Sequence, residues 1–155
     1  MSKVLGKSSE CSVARALTVL NDPWTVLIVR EALIAKATRF GQFRDALGIA
    51  PNILTKRLRH VVAEGLMERR TYQAPGARTR DEYVLTESGR ALSIVIASLA
   101  DWGRKYLARP DSHSPLFVDA RTGVPARLLF ADAEGTAHHP ADLIAERAPD
   151  AELAR

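Results

Sequence analysis

The chain has 155 residues, of which 46% are hydrophobic and 26% are charged, and its formal net charge at pH 7 is +4. This composition is typical of a folded soluble protein and excludes a fibrous or disordered chain, and the length suits one domain with a hydrophobic core plus an appendage. Cys11 is the only cysteine, so neither an intramolecular disulfide nor a cysteine-based zinc site can form within one chain.

The first two helices are predicted from apolar residues at helical spacing. Ser12 is expected to cap the first helix, which ends near Asn21 and Asp22. Pro23 then occupies a first-turn position where proline is tolerated, and a second, buried helix follows it. The apolar positions are Val13, Ala14, Leu17 and Leu20 in the first helix and Trp24, Leu27, Ile28, Ala32 and Leu33 in the second.

The third and fourth helices are short and follow each other closely. Thr38 is the expected cap of the third helix, which ends at Gly48, because glycine commonly terminates helices. The fourth helix begins near Pro51 and ends before Gly65. The order of helices, followed by a two-stranded hairpin, is specific.

After Gly65 the pattern changes from helix to strand. Residues 66–72 and 82–86 are predicted strands, and the segment between them contains Pro75 and Gly76 and must turn. From Thr86 onward a long helix is predicted, with an apolar stripe at spacings of three and four. The stripe includes Leu92, Val95, Leu99, Trp102 and Tyr106.

This stripe needs a partner surface. It could pack against the first helix of the same chain or form the seam of a homodimer. We favour the homodimer, because the chain has few other elements that could cover so long a stripe.

The C-terminal part of the chain is predicted to form a separate extension. A first unit spans 11–107, a linker rich in proline and serine follows, and a second unit spans 113–155. Two strands around a turn at Thr122 and Gly123 suggest a small hairpin ahead of a frayed end.

Charge is distributed unevenly along the chain. Residues 36–82 contain ten Lys or Arg and five Asp or Glu, whereas residues 111–155 contain four and eight. The middle of the chain is therefore suited to an acidic partner and the extension is not.

Three segments of the chain resemble a known family. These are CSVARAL, PWTVLIVREAL and RFGQFRDALGIAPNILTKRLRHVVAEGLMERR, the last followed by a turn and YVLTESGRAL. Together, from about Cys11 to Trp102, they resemble the HxlR-type transcriptional regulators, relatives of the MarR group. The resemblance implies a mostly α, α+β fold: a winged helix-turn-helix that dimerises through its terminal helices and binds double-stranded operator DNA.

The extension is also similar to one found on longer members of that family, where cysteine pairs can form a small zinc-binding hairpin. This chain has no cysteine there. We therefore expect the hairpin without the metal, and we expect no cofactor.

Four polar residues of the fourth helix lie on one side at spacings of three, one and three. A major groove about 12 Å wide admits one helix, and asparagine pairs well with adenine, arginine or lysine with guanine, and threonine with a thymine methyl group. We expect these residues to contact bases, and we call them the recognition face: Asn52, Thr55, Lys56 and Arg59.

Other basic residues are predicted to contact the DNA backbone. Arg78 and Arg80 lie in the wing, and Arg39 and Gln42 lie near the start of the third helix. Arg57 could form either a structural ion pair or a phosphate contact. Of the doubled arginine at positions 69 and 70, at most one is expected to face DNA, because side chains alternate along a strand.

Cys11 has two interpretations. It could be a buried apolar residue, or it could be a reactive thiol at a helix N-terminus, as the resemblance implies for redox or electrophile sensing. A small-molecule effector is a further candidate partner, and Trp24, Trp102, Phe40 and Phe43 could line its pocket, although such aromatics are more often core.

The sequence contains no paired nucleophile and base, phosphate-binding glycine loop or carboxylate cluster. We therefore expect a sequence-specific regulator, most simply a repressor, and not an enzyme. The alternative is a winged-helix module that binds protein and does not recognise a DNA sequence. No stretch approaches the roughly 20 apolar residues of a membrane span and the N-terminus lacks the apolar centre of a signal peptide, so we expect a cytoplasmic protein without membrane contact.

Overall fold

The computed structural model describes residues 6–7, 9–72, 80–107, 109–110 and 117–146. The order of elements confirms the predicted fold class: the protein is α+β and mostly α, with a helix-turn-helix followed by a two-stranded wing. The helices and strands are α1 (Ser12–Val19), α2 (Pro23–Ile34), α3 (Phe40–Leu47), α4 (Pro51–Ala63), β1 (Met67–Tyr72), β2 (Arg80–Leu85), α5 (Glu87–Ala91), α6 (Ser93–Tyr106), β3 (Phe130–Ala131) and β4 (Ala137–His138).

The ends of α3 and α4 lie where the sequence predicts them. Gly48 and Gly65 have φ angles of 59° and 71°, in the left-handed region that glycine adopts without a steric penalty. Pro51 is the first residue of α4, where its missing N–H breaks no helical hydrogen bond. These residues determine the length of both helices of the helix-turn-helix.

Two of the predicted helix caps are wrong. Cys11, not Ser12, precedes α1, and its own N–H donates to the Ser9 hydroxyl at 3.2 Å. Arg39, not Thr38, precedes α3, because the Gln42 side-chain oxygen accepts from the backbone N–H groups of both Thr38 and Arg39 at 3.0 and 2.9 Å. The Gln42 side chain thus satisfies the backbone N–H groups of the two residues that precede α3, as in a capping box.

The core forms around α2, which packs against α3, α4 and α6. The inner side of α4 contributes three fully buried side chains, so hydrophobic burial holds this helix against the core. The largest fully buried side chains are Phe43, Ile28, Leu54, Leu58, Met67, Val29, Val61 and Thr25.

The wing is an antiparallel pair in which Met67 faces Leu85 and Arg69 faces Tyr83. Its second strand is tied to the start of α3, since the Tyr83 N–H donates to the Thr38 carbonyl at 2.7 Å and Arg39 bridges to Glu82. The position of the wing relative to the helix-turn-helix therefore depends on backbone hydrogen bonds.

The predicted long helix is divided at Leu92 into α5 and α6. Gly89 of α5 is buried so close to β1 that a Cβ atom there would lie 2.0 Å from the Leu66 carbonyl oxygen. The Thr86 hydroxyl caps α5 by accepting from the Gly89 N–H at 3.1 Å, and it also donates to the Gly65 carbonyl at 2.6 Å. The chain after the wing is thus fastened to the end of α4 before α6 begins.

The extension forms two small turns and has no core of its own among its described residues, 117–146. The predicted turn at Thr122 and Gly123 is present, closed by a bridge between Val118 and Pro125, and a second hairpin, β3 and β4, follows it. Hydrogen bonds from Thr122, through its N–H and hydroxyl, and from the Arg121 N–H hold the pKa of the Asp119 carboxyl below its usual range. Phe117 packs against the main core. The division into units 11–107 and 113–155 stays a prediction.

Among the described residues, no helix is long and apolar enough to cross a membrane.

Replacing Gly89 with alanine should destabilise the fold, because the new methyl group would overlap the Leu66 carbonyl oxygen. We expect a loss of about 2 kcal/mol in the free energy of unfolding, measured by urea denaturation at one fixed protein concentration. Gly41→Ala in α3 is the matched control, since nothing lies within 4 Å of a Cβ atom there. It should stabilise the protein by up to about 1 kcal/mol. Equal effects of the two substitutions would contradict the close approach at Gly89.

Candidate nucleic-acid interface

The recognition face lies on the outer side of α4. Asn52, Lys56 and Arg59 are exposed, whereas Leu54 and Leu58 on the opposite side are fully buried. The helix is therefore seated by its apolar side and presents its polar side to solvent, as its sequence predicts.

Thr55 differs from the other members of the recognition face. Its side chain is half-buried, and its hydroxyl donates to the Pro51 carbonyl one turn earlier at 2.8 Å. The hydroxyl is thus engaged within α4, and the methyl group is the part of this side chain better suited to an external contact.

The recognition face carries two positive charges, on Lys56 and Arg59. Neither Lys56 nor Arg59 has an ion-pair partner within the described ranges. An exposed helix face with two uncompensated cations beside an asparagine is suited to a polyanion.

Two polar contacts orient α4 against the N-terminal helices. Arg57 Nη1 lies 3.2 Å from the Asp22 carboxylate, and His60 Nε2 lies 3.0 Å from the Val19 carbonyl oxygen. Of the two roles left open for Arg57, the geometry supports the structural ion pair. Neither partner is apparent from the sequence, because the contacts join residues 35 and 41 positions apart.

The Asp22 carboxylate has several partners. One oxygen accepts from the N–H groups of Trp24 and Thr25 at 2.9 and 3.3 Å, which caps α2. The other accepts from the Thr25 hydroxyl at 2.7 Å, and Thr25 is fully buried. One carboxylate thus caps α2, accepts a hydrogen bond from a buried hydroxyl and forms an ion pair with α4.

A cleft of about 430 Å³ separates α4 from the wing. Arg59, Arg69 and Tyr83 line it, together with Thr55 and Asp81. Tyr83 was not predicted as a site residue; burial raises the pKa of its phenol, so the hydroxyl keeps its proton and can donate a hydrogen bond. No pattern in the sequence marks it, since an isolated strand tyrosine is common in cores.

The doubled arginine divides between two sides of β1. Arg69 lines the cleft, while Arg70 pairs with Glu68 on its own strand at 3.0 Å. This follows from the alternation of side chains along a strand. Arg69 is the member of the pair that lies beside the recognition face.

Acidic residues of β2 lie next to Arg69 of the cleft and next to Arg39 at the start of α3. Arg69 Nη2 lies 2.8 Å from the Asp81 carboxylate, and Arg39 Nε lies 3.7 Å from the Glu82 carboxylate. Among the predicted backbone contacts, Gln42 uses its side-chain oxygen to cap α3, Arg80 is exposed at the start of β2, and Arg78 lies outside the described residues.

The apolar stripe of α6 is exposed over most of its length. Leu99, Trp102 and Tyr106 are each more than half exposed, whereas Leu92 packs against the core. The rings of Trp102 and Tyr106 lie 5.6 Å apart. Within the described structure α1 does not cover this stripe, so intramolecular packing does not account for it.

Cys11 is exposed at the start of α1, which excludes the interpretation as a buried apolar residue.

The four aromatic residues suggested for an effector pocket do not converge, because Phe43 is fully buried in the core while Trp102 is 56% exposed. A cavity of about 560 Å³ lies elsewhere, between α6 and the extension, lined by Ser93, Ile94, Ala97, Asp101, Arg104, Phe117, Pro125, Ala126, Arg127 and Leu128. The described residues contain no group of three or more metal-ligating side chains.

Comparisons with known proteins agree with this geometry. A family model described as HxlR-like helix-turn-helix matches residues 19–111. A helix-turn-helix transcriptional regulator of Mycobacterium tuberculosis, Rv3095, is 45% identical over 100 residues, which are 64% of this chain. The match spans 61% of the length of that relative, less than two thirds of it.

Two solved structures extend the comparison. The candidate transcription factor PA1607 has a TM-score of 0.77 at 36% identity, covering 92% of this chain and 98% of that one. The redox regulator HypR in its oxidised form has a TM-score of 0.54 at 30% identity, covering 61% and 96%. The match to PA1607 is long enough to include part of the extension.

Removing the Asp22 carboxylate should destabilise the protein, because α2 loses its cap and both Thr25 and Arg57 lose a partner. We expect Asp22→Ala to lower the free energy of unfolding by about 3 kcal/mol in urea denaturation. Asp45→Ala is the control, since Asp45 pairs at an exposed site with the adjacent Arg44. It should cost about 0.5 kcal/mol or less. A loss for Asp22→Ala no larger than for the control would show that this carboxylate does not hold α2 and α4 together.

Proposed function

Because the chain belongs to the HxlR-like helix-turn-helix family of transcriptional regulators, we propose that it is a homodimeric, sequence-specific DNA-binding protein that acts as a repressor. The observation that carries this proposal is the recognition face of α4, an exposed polar surface whose two cations have no ion-pair partner among the described residues. A protein-binding helix would gain little from leaving both charges uncompensated.

Each member of the recognition face has a base to which its chemistry is suited. Asn52 is suited to adenine through two hydrogen bonds, Lys56 and Arg59 to guanine, and the Thr55 methyl group to thymine. We assign the DNA backbone to Arg39, Gln42, Arg78 and Arg80, since contacts with phosphates position a protein without selecting sequence. Tyr83 joins them from the wall of the cleft.

The dimer is proposed to form through the α6 stripe. Leu99, Trp102 and Tyr106 leave a large apolar area in solvent, which a second copy would remove from water. A symmetric pair places two recognition helices on one side of the duplex, with half-sites roughly 34 Å apart. Bound at a promoter, such a dimer represses by occupying the site.

Relief of repression requires a change in the spacing of the two recognition helices. The cavity between α6 and the extension is the candidate site for a small effector, since its volume of about 560 Å³ lies in the usual range of small-molecule pockets. Ile94, Ala97 and Asp101 approach it from a side of α6 different from the stripe. An effector there would act on α6 without occupying the dimer seam.

Cys11 is a second candidate for control. It is exposed beside the N-terminus of α1, and HypR, similar in fold over 61% of this chain, is by name a redox regulator with an oxidised form. Because the chain has no other cysteine, a response would take the form of a bridge to the partner's Cys11, a mixed disulfide with a small thiol, or alkylation.

The alternative function is a winged-helix module that binds protein through α6 and the extension. Salt dependence separates the two functions. A dimer with 6–10 phosphate contacts loses about 10³ to 10⁵ in affinity between 50 and 200 mM salt, whereas a protein-binding module has a shallow dependence.

In vitro selection from random duplexes, followed by a footprint upstream of the protein's own gene, tests the proposed function. We expect an enriched near-palindromic motif that binds two protomers. On that duplex Arg59→Ala should weaken binding by about 10- to 100-fold in fluorescence anisotropy and relax the preference for one base pair. Arg121→Ala, an exposed arginine of the extension, is the control and should leave affinity unchanged. Recovery of duplexes without an enriched motif would favour the protein-binding alternative.

The response of Cys11 is measured separately. Treatment with diamide, which oxidises thiols to disulfides, should lower operator affinity of the wild type and leave that of Cys11→Ser unchanged. The same response in both proteins would remove Cys11 from the mechanism, and reversal by dithiothreitol would identify a disulfide.

A further inference from the structure

The arginines around the cleft fall into two electrostatic classes. Arg59 of the recognition face has no ion-pair partner among the described residues, whereas Arg69, on the facing wall of the same cleft, has its guanidinium 2.8 Å from the Asp81 carboxylate. If this surface served only to bind phosphates tightly, a carboxylate such as that of Asp81 beside Arg69 would weaken the binding. The pairing therefore calls for a separate explanation.

We infer that Asp81 is a specificity-determining residue: its carboxylate is an internal counter-ion of Arg69 that weakens sequence-independent binding to phosphates. The inference rests on the proposed function. In this view the wing reduces binding to DNA of any sequence. Discrimination between sequences is left to Lys56 and Arg59 of the recognition face, which have no ion-pair partner among the described residues.

The physical basis is counter-ion release. Affinity for duplex DNA depends on salt because protein cations that neutralise phosphates release bound salt ions, and each such contact contributes about 0.9 to the slope of log affinity against log salt. A cation already paired with a carboxylate contributes little to this term, because a phosphate must first displace the carboxylate. Asp81, if left in place, also repels the phosphate.

The geometry favours Arg69 and Asp81 as a defined pair. Across the wing Arg69 faces Tyr83 and Asp81 faces Thr71, so both side chains belong to the side of the wing that lines the cleft. Arg69 Nη2 donates a hydrogen bond to the Asp81 carboxylate, and this hydrogen bond, followed by the charge of Asp81, raises the pKa of Arg69. The Arg39 and Glu82 pair is longer, at 3.7 Å, beyond a hydrogen bond, and is a weaker example of the same arrangement.

The same strand offers a matched comparison. Arg70 pairs with Glu68 at 3.0 Å, and its side chain has the same exposure as that of Arg69, 61%. Neither Arg70 nor Glu68 lines the cleft. Loss of the Glu68 charge therefore frees an arginine of equal exposure that is not beside the recognition face.

The test compares Asp81→Asn with Glu68→Gln in the full-length protein. Affinity for a duplex of random sequence and for the selected operator is measured by fluorescence anisotropy over a series of salt concentrations. For Asp81→Asn we expect the salt slope to steepen by about 0.9 per protomer, or about 1.8 per dimer. Affinity for random duplex should rise more than affinity for the operator, so the ratio of the two falls. Glu68→Gln should leave both the slope and the ratio unchanged.

A second variant separates a counter-ion from a structural role. In an Arg69→Gln background, Asp81→Asn should no longer steepen the slope, because the cation that it would release is absent. An unchanged slope in the single variant, or a lower affinity for random duplex, would overturn the inference, and the lower affinity would mean that Asp81 positions Arg69 as a phosphate donor. Failure of the wild type to bind any duplex would overturn the proposed function and this inference together, whereas normal wild-type binding with an unaltered Asp81→Asn slope would overturn the inference alone.

Discussion

The direction in which the recognition face points depends on one carboxylate, that of Asp22. It caps α2, accepts the hydroxyl of the buried Thr25 and pairs with Arg57 on α4. Hydrophobic burial holds α4 against the core but is not directional, so it does not by itself define the rotation of the helix about its axis. The ion pair between Arg57 and Asp22 and the contact between His60 and Val19 attach α4 to α2 and α1 at defined points, and so restrict that rotation.

The basic residues beside the cleft differ in whether a carboxylate pairs with them. Lys56 and Arg59 face solvent without an acidic partner among the described residues, whereas Arg69, across the cleft, has one. The net basic charge of residues 36–82 therefore overstates the charge that the wing offers to a polyanion. It is the pairing of charges in space, more than their number, that decides which arginines can respond to DNA.

Helix α6 has three sides, and each meets a different environment. Ile96 is buried in the core, Trp102 and its neighbours on the stripe are exposed, and Ile94 lines the cavity beside the extension. Because one rigid helix carries all three sides, a ligand in the cavity or a second copy on the stripe would act on the same element. This gives the proposed regulation a physical route from the extension to the recognition helices.

The sequence by itself determined the helices of the helix-turn-helix, the wing and the recognition face. These follow from local rules: the period of apolar residues, the proline that starts α4 and the glycines that end α3 and α4, all of which act within a few residues. The caps predicted at Ser12 and Thr38 were each wrong by one residue, since Cys11 precedes α1 and Arg39 precedes α3.

Only the tertiary structure decided the contacts between distant residues. It places Arg57 beside Asp22 and Arg69 beside Asp81, and it brings Gly89 close to the Leu66 carbonyl oxygen. The spacing of residues along the chain does not predict these partners. Each contact depends on how separate helices and strands pack, and it forms only when the two groups come within a few ångströms of each other.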